Sequence, residues 1–294
     1  MLQSVSGAGV DAARFTRNTP VHQLSLSFEL NRLRVNCQDP PWKVVRAFRH
    51  ADSGVLVHLN NISGGVLAGD RLALDVTVQP GAMAQITTTG ATRLYRHRAG
   101  ARDSEQSTTF SVGENARLEY LPDPLIPYAG SRHTQRTRIR LDSGASLFWW
   151  EVLAPGRKAH GESFAFERLR IESEVRTQSR PLLREDFLLE PAKRPLGVTA
   201  RMLQYSYVAS LYVCQEGKPA AFWRNLEDAL NAEAAQHTRS GETMWGASTL
   251  VSDGVIVRGL STSNRFIPAA LVHFWRLGRR ALTGEDPVPP RKIY

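Results

Sequence analysis

The chain has 294 residues, 42% of them hydrophobic and 22% charged, which describes a folded globular protein and excludes a disordered one. Its 37 basic residues outnumber 28 acidic ones, a net charge of +9, yet no helix-turn-helix, zinc-finger or RNA-binding aromatic pattern accompanies the charge. No apolar run approaches the roughly 18 residues that span a bilayer, so neither nucleic acid nor membrane is expected as partner, and an acidic protein is.

Residues 1–20 are rich in Gly, Ala and Ser and lack a basic end followed by an apolar block, which predicts a flexible N-terminal tail rather than a secretory signal. No Gly/Ser linker divides the remainder, so residues 21–294 are expected to form a single domain. Cys37 and Cys214 are too few for a disulfide framework or a thiolate metal site, and a cytoplasmic protein is the expectation.

"HQLSLSFEL" places Leu24, Leu26, Phe28 and Leu30 on one side and polar residues on the other, the alternation of a half-buried strand. "NNISGGVLAGDRL" follows, with Gly64, Gly65, Gly69 and Asp70 close together. Glycines so closely spaced indicate a tightly shaped turn or a close main-chain contact. A phosphate loop needs Lys then Ser or Thr after its last Gly, whereas Asp70 and Arg71 stand here, and a carboxylate repels phosphate. "RLALDVTV" is again strand-like, through Leu72, Leu74, Val76 and Val78.

Three segments share a template: "VQPGAMAQI" from Val78, "VGENARLEY" from Val112 and "LDSGASLFW" from Leu141. Each carries an apolar residue, turn formers and an alanine, after which alternation resumes as Ala82/Ala84/Ile86, Ala116/Leu118/Tyr120 and Ala145/Leu147/Trp149. Turn chemistry between alternating runs is a hairpin-like signal, and its recurrence suggests stacked β layers of uneven period. "QRTRIRL" puts Arg136, Arg138 and Arg140 on one strand face, either a solvated sheet surface or a docking stripe for an acidic partner. "SFAFERLRIESEV", residues 163–175, adds a strand with Phe164, Phe166, Leu169 and Ile171 as core.

Helix arrives late. "AAFWRNLEDALNAEAAQ" spaces Phe222, Leu226, Ala229 and Leu230 on one helical face behind Pro219. A second helix is expected from Pro268 to about Leu282, presenting Leu271, Trp275, Gly278 and Leu282, before a proline-rich, extended tail.

The eight histidines, His22, His50, His58, His97, His133, His160, His237 and His273, form no pair at helical spacing and neighbour no Cys or carboxylate cluster, so no preset metal cage is expected. No G-x-S-x-G elbow occurs. Asp70, Glu119, Glu151, Glu162 and Asp186 are the carboxylates that could pair across a β layer for glycoside hydrolysis, the alternative reading being a β-layered carbohydrate-active enzyme.

The segments "SGGVLAGDRL", "TTTGATRLYR", "LEYLPDPLIPYAG", "FWWEVLAPGRKAHGESF" and "PRKIY", in this order over nearly the whole chain, together resemble the urease accessory protein family UreD, also called UreH. Gly64, Gly65, Gly69, Asp70, Tyr95, Arg96, Gly156 and Arg157 are the motif residues. Thr89 stands where many members have Pro or Gln, and residues 1–20 match nothing in the family. The resemblance implies a mainly β fold with layered, β-helix-like winding of strands and two α-helices in the C-terminal third. It implies a non-catalytic scaffold with no tightly bound cofactor that binds UreF, through it the GTPase UreG, and the urease apoprotein. It further implies transient passage of Ni²⁺ through an internal tunnel, which calls for exchangeable ligands rather than a tight His/Cys cage. Asp70, Glu151 and Glu162 are its candidate ligands here. The competing role for Asp70 is to fix its turn by accepting main-chain N–H bonds, and for Glu151 and Glu162 to be buried acids with an arginine partner, Arg157 being near in sequence.

Overall fold

The computed structural model describes residues 21–49, 54–198 and 201–290. The expected N-terminal tail, His50 and most of "PRKIY" lie outside the described residues. The strands are β1 (His22–Glu29), β2 (Arg32–Gln38), β3 (Trp42–Lys43), β4 (Ala47–Arg49), β5 (Val55–Asn61), β6 (Arg71–Val78), β7 (Met83–Thr88), β8 (Thr92–Leu94) and β9 (Ser104–Val112). They continue as β10 (Arg117–Leu121), β11 (Leu125–Pro127), β12 (Arg132–Leu141), β13 (Ser146–Leu153), β14 (Arg168–Thr177), β15 (Pro181–Leu189), β16 (Tyr207–Gln215), β17 (Thr243–Thr249) and β18 (Gly254–Ser261). The helices are α1 (Ala220–His237) and α2 (Ile267–Thr283).

The three template segments are where the architecture is decided. Each is a corner at which the chain leaves one sheet and enters another: β6 to β7, β9 to β10 and β12 to β13. The hairpin-like signal at these turns is thus a strand–turn–strand corner between stacked layers, the layering expected, and not a hairpin within one sheet. The local turn is as read, but both flanking strands carry an apolar face, and crossing between sheets lets the two faces bury each other. The corners stack through equivalent main-chain bonds: Gly113 N donates to Val78 O and Asp142 N to Val112 O, both within 2.9 Å. One layer further in, Arg117 N donates to Ala82 O and Ser146 N to Ala116 O, at 2.9 Å each.

Repeated crossing makes two sheets that are parallel at their centres. The first has the order β15-β14-β12-β9-β6-β1-β2, with β1, β6, β9, β12 and β14 parallel and an antiparallel strand at each edge. The second runs β17-β18-β16-β13-β10-β7-β5-β3, parallel from β5 to β13 and antiparallel from β13 onward. Between them lies one apolar layer, containing Leu24, Leu26, Phe28, Leu74, Val76, Phe110 and Ile139 from the first sheet and Val57, Ile86, Leu118, Leu147 and Trp149 from the second. The mainly β, layered winding with two C-terminal helices is the fold expected.

The second sheet is covered on its far side by the helices. β13, "SLFWWEVL", sends Leu147 and Trp149 into the inter-sheet layer and Phe148 and Trp150 toward α1 and α2, which is why it reads as a continuous apolar run. The buried face of α1 is Trp223, Leu226, Leu230 and Ala234: Leu226 and Leu230 are buried as expected, Phe222 is half-buried against the same core, and Ala229 is exposed. Phe222 and Trp223 are adjacent and both apolar, and both pack on this core, Trp223 fully buried and Phe222 at its edge. α2 starts at Ile267 with Pro268 in its first turn and buries Ala270, Leu271, Phe274, Trp275, Gly278 and Arg279. The strand expected from residue 163 begins at Arg168, because Phe164 adopts a left-handed backbone (φ 54°) inside a loop.

Candidate functional site

The corners close one end of the two-sheet body. At the other end, longer loops carry the chain from the carboxyl ends of the second sheet back to the first. The motif residues fall on these loops. Gly65 lies under the strand segment Arg93–Tyr95, with Val66 N donating to Arg93 O at 2.8 Å and Tyr95 N to Val66 O at 2.9 Å. A β-carbon at Gly65 would stand 2.5 Å from Arg93 O and 2.6 Å from the Tyr95 ring, so only glycine admits this approach. Gly65→Ala is expected to lower stability by about 1–3 kcal/mol through overpacking. Urea unfolding at neutral pH checks it, and an unchanged midpoint would mean the loop yields freely.

Tyr95 packs edge-on against Tyr128 (ring centroids 5.2 Å apart), and the Arg157 guanidinium lies 4.3 Å above the Tyr128 ring. Arg96 Nε donates to Ala129 O at 3.4 Å. Arg157 grips Glu162 in a bidentate pair, its Nη2 donating to Oε1 and its Nε to Oε2 at 2.9 Å, and Ala129 N donates to the latter oxygen at 3.2 Å. The Arg157 hydrogen bond holds the Glu162 carboxyl down to about 2, opposed only partly by desolvation. Gly156, at φ 138°, packs where a side chain would meet the main-chain oxygens of Glu162 and Pro127, each 3.3 Å away. Tyr95, Arg96, Gly156, Arg157 and Glu162, separated in sequence, thus meet around Tyr128–Gly130. Asp70 accepts a bond from Leu67 N at 2.8 Å and so spans the Gly69 turn (φ 86°).

Beside this cluster a cleft of about 240 Å³ enters between the sheets. Asn60, Asn61, Gly64, Gly65 and Thr88–Arg93 line its outer part, and Gln106, Tyr120, Gln135 and Glu151 its inner part. Glu151 is the member of β13 at which the inter-sheet face turns from apolar to ionisable. Its Oε1 accepts from Gln135 Nε2 at 3.4 Å. Burial raises its carboxyl to about 7, against the smaller opposing pull of the Gln135 bond and the Arg258 charge. Desolvation raises the Tyr120 phenol in turn, and the Glu151 charge adds to it. His133, at the same end of β12, is buried, 2.9 Å from Ser104 Oγ, and desolvated down to about 3, so it stays neutral.

Of Asp70, Glu151 and Glu162, Glu151 lines the cleft, whereas Asp70 and Glu162 lie outside its lining. The five carboxylates named for hydrolysis are dispersed. Glu119 is buried against Arg279 beneath the helices, and Asp186 is held by Arg170 on the outer face of the first sheet. Arg136 and Arg140 do share that outer face with Arg138, but Arg136 is paired with Glu172 at 2.6 Å and Glu105 at 3.7 Å, and Arg140 lies 3.5 Å from Asp142. Register sets Arg136 beside Glu172 and Arg138 beside Glu174, so the basic stripe faces an acidic one within the same sheet.

One constellation escaped the sequence reading. Glu233 and His237 are one turn apart on α1, a carboxylate–histidine pair that the search for paired histidines passed over, and His273 of α2 joins them. The Glu-x-x-x-His spacing was available as a signal, while its third member sits 36 residues away on another helix.

A layered β body with a polar cleft opening among its motif loops is the class of protein that the fold and the site define. The chain belongs to the UreD family of urease accessory proteins: the family model described as UreD urease accessory protein matches residues 22–293. It is 42% identical over 284 residues to the urease accessory protein UreD of Herpetosiphon aurantiacus, covering 95% of this chain and 99% of that relative. Identity to the UreD of Opitutus terrae is 34% over 222 residues, 74% of this chain and 81% of the relative. To UreD 2 of Brucella abortus it is 29% over 227 residues, 76% and 72% of the two chains. The protein is therefore a urease accessory protein, acting in urease maturation. No helix among the described residues is long and apolar enough to cross a membrane.

Proposed function

We propose that this protein is a non-catalytic scaffold that binds UreF, and through it the GTPase UreG, docks with them on the urease apoprotein in the cytoplasm, and lets nickel pass toward the urease active site. Nickel is cargo here, held transiently. The observation that carries the reading is the cleft, which leads from the Gly64–Gly65 loop past amide and hydroxyl side chains to Glu151 between the sheets.

Amide oxygens and one carboxyl are weak donors compared with a His/Cys cage, and weak donors release a divalent ion. Glu151 suits that task for a second reason. A carboxyl poised near neutrality must shed a proton to take a cation, so proton and nickel compete and neither is held firmly. Asp70 and Glu162 serve the route indirectly, the first by shaping the loop at the cleft's mouth and the second by locking Arg157 against the Tyr128 loop. A nucleotide site is left to the GTPase, in keeping with Asp70 and Arg71 standing where a phosphate loop needs Lys and Ser or Thr.

Expression of this protein beside a urease operon deprived of its own copy is expected to restore nickel-dependent urease activity. It is also expected to co-purify with UreF. Soluble protein that neither rescues the operon nor retains UreF would contradict the proposal.

A further inference from the structure

The two C-terminal helices hold a second polar constellation, separated from the cleft by the second sheet. His237 Nε2 lies 3.0 Å from Glu233 Oε1, His273 Nδ1 lies 3.1 Å from the same oxygen, and the two ring nitrogens are 3.0 Å apart. Three donor atoms therefore form a nearly equilateral triangle. A shared proton serves one edge of such a triangle well, whereas a cation above its plane serves all three corners.

We propose that Glu233, His237 and His273 form a binding site for a six-coordinate divalent transition-metal ion. The spacing carries the argument. An ion about 2.1 Å from each donor would see donors 3.0–3.1 Å apart at angles of about 90°, the three corners of one octahedral face. A tetrahedral ion at the same bond length needs its donors about 3.4 Å apart, which disfavours zinc. Two imidazoles and one carboxylate select against magnesium and calcium, which take oxygen donors, and at such a donor set affinity rises from manganese through iron and cobalt to nickel and copper, which defines a transition-metal class.

The supports are rigid. The His237 ring packs edge-on against Phe274 (5.6 Å between centroids), and Thr243 Oγ1 donates to the His237 carbonyl at 2.6 Å, tying down the end of α1. The side chains of Glu233 and His237 are 19% and 20% exposed and that of His273 is 46% exposed, so the triad is reached from solvent. A site that is fixed on one side and solvated on the other binds an ion yet exchanges it. This inference rests on the helix geometry and not on the cleft.

The test uses the full-length protein and nickel(II) as probe, with equilibrium dialysis for stoichiometry and X-ray absorption at the nickel edge for the ligand set. The wild type is expected to hold a six-coordinate ion with two imidazole ligands. His273→Ala and Glu233→Gln, both at the helix surface, are expected to weaken this site about tenfold or more and to reduce the imidazole signal. Glu151→Gln is expected to leave it intact, which separates the site from the cleft. Equal stoichiometry and an unchanged spectrum in both helix variants, or a four-coordinate ion in the wild type, would overturn the proposal. Should a variant fail to fold, the wild-type spectrum alone decides, because fewer than two imidazoles rules the site out.

Discussion

Arg279→Met is expected to destabilise the protein by about 3–5 kcal/mol, the cost of leaving one member of a buried ion pair without its main partner. Arg279 and Glu119 are both fully buried, and Arg279 Nη1 donates to Glu119 Oε1 at 2.5 Å. The pair joins α2 to β10 through the far face of the second sheet. Gln85 Nε2 extends it, donating to Glu119 Oε2 at 2.8 Å and to Val288 O at 3.0 Å, so the segment after α2 is tied to the same point. With ordinary domain stability of about 5–15 kcal/mol, such a loss removes a large share of the total. Urea unfolding at pH 7 measures it. The double variant Glu119→Leu/Arg279→Met is expected to recover most of the loss, since apolar replacement of both charges removes the desolvation penalty along with the attraction. A single variant within 1 kcal/mol of wild type would show that Gln85 and the remaining neighbours carry Glu119 without Arg279.

Glu151→Gln is expected to stabilise the protein above pH 7 while leaving it unchanged below about pH 4.5. Because burial raises the folded carboxyl to about 7, the folded state binds more protons than the unfolded one between those values. Wild-type stability contributed by this group is then fully present at low pH and declines as pH rises toward 7. The neutral isostere carries no such slope and keeps the Gln135 contact. At pH 8 the gain is expected to be about 2 kcal/mol, allowing for partial solvation in the cleft. Paired urea titrations at pH 4.5 and pH 8 check it. A variant less stable than wild type at pH 8 would mean that the Glu151 charge is matched within the fold, not penalised by it.

Glu151 marks how far the sequence is legible. "FWWEVL" shows an acid inside an apolar strand, which is enough to single out the residue. Its company is not legible: Gln135 and Tyr120 reach it through the winding of strands, and register between distant strands leaves no local trace. The corner turns behave alike. Pro80–Gly81, Asn115 and Gly144 announce turns by composition, but whether such a turn folds a hairpin or passes between sheets depends on what the two strands pack against. Helix phase is largely legible, since Leu226 and Leu230 are buried as their spacing implies, while the full burial of Trp223 beside Phe222 depends on the sheet and the second helix. Gly65 is different, because the close contact its glycine permits follows from the absence of a side chain, and only the identity of the opposing strand is long-range. Glu119 and Arg279, 160 residues apart, could be seen as charges but not as a pair.

The central claim is that a rigid β body assembles partners around a polar passage whose inner ligand is Glu151. Its most direct test is urease activation in an operon carrying Glu151→Gln as the sole copy, read together with recovery of the UreF-bound complex. The account predicts a complex recovered at wild-type yield and nickel content in urease reduced about tenfold or more. Full activation by an intact complex would contradict it, and so would loss of the complex itself, since that would make Glu151 a part of the scaffold and not of the passage.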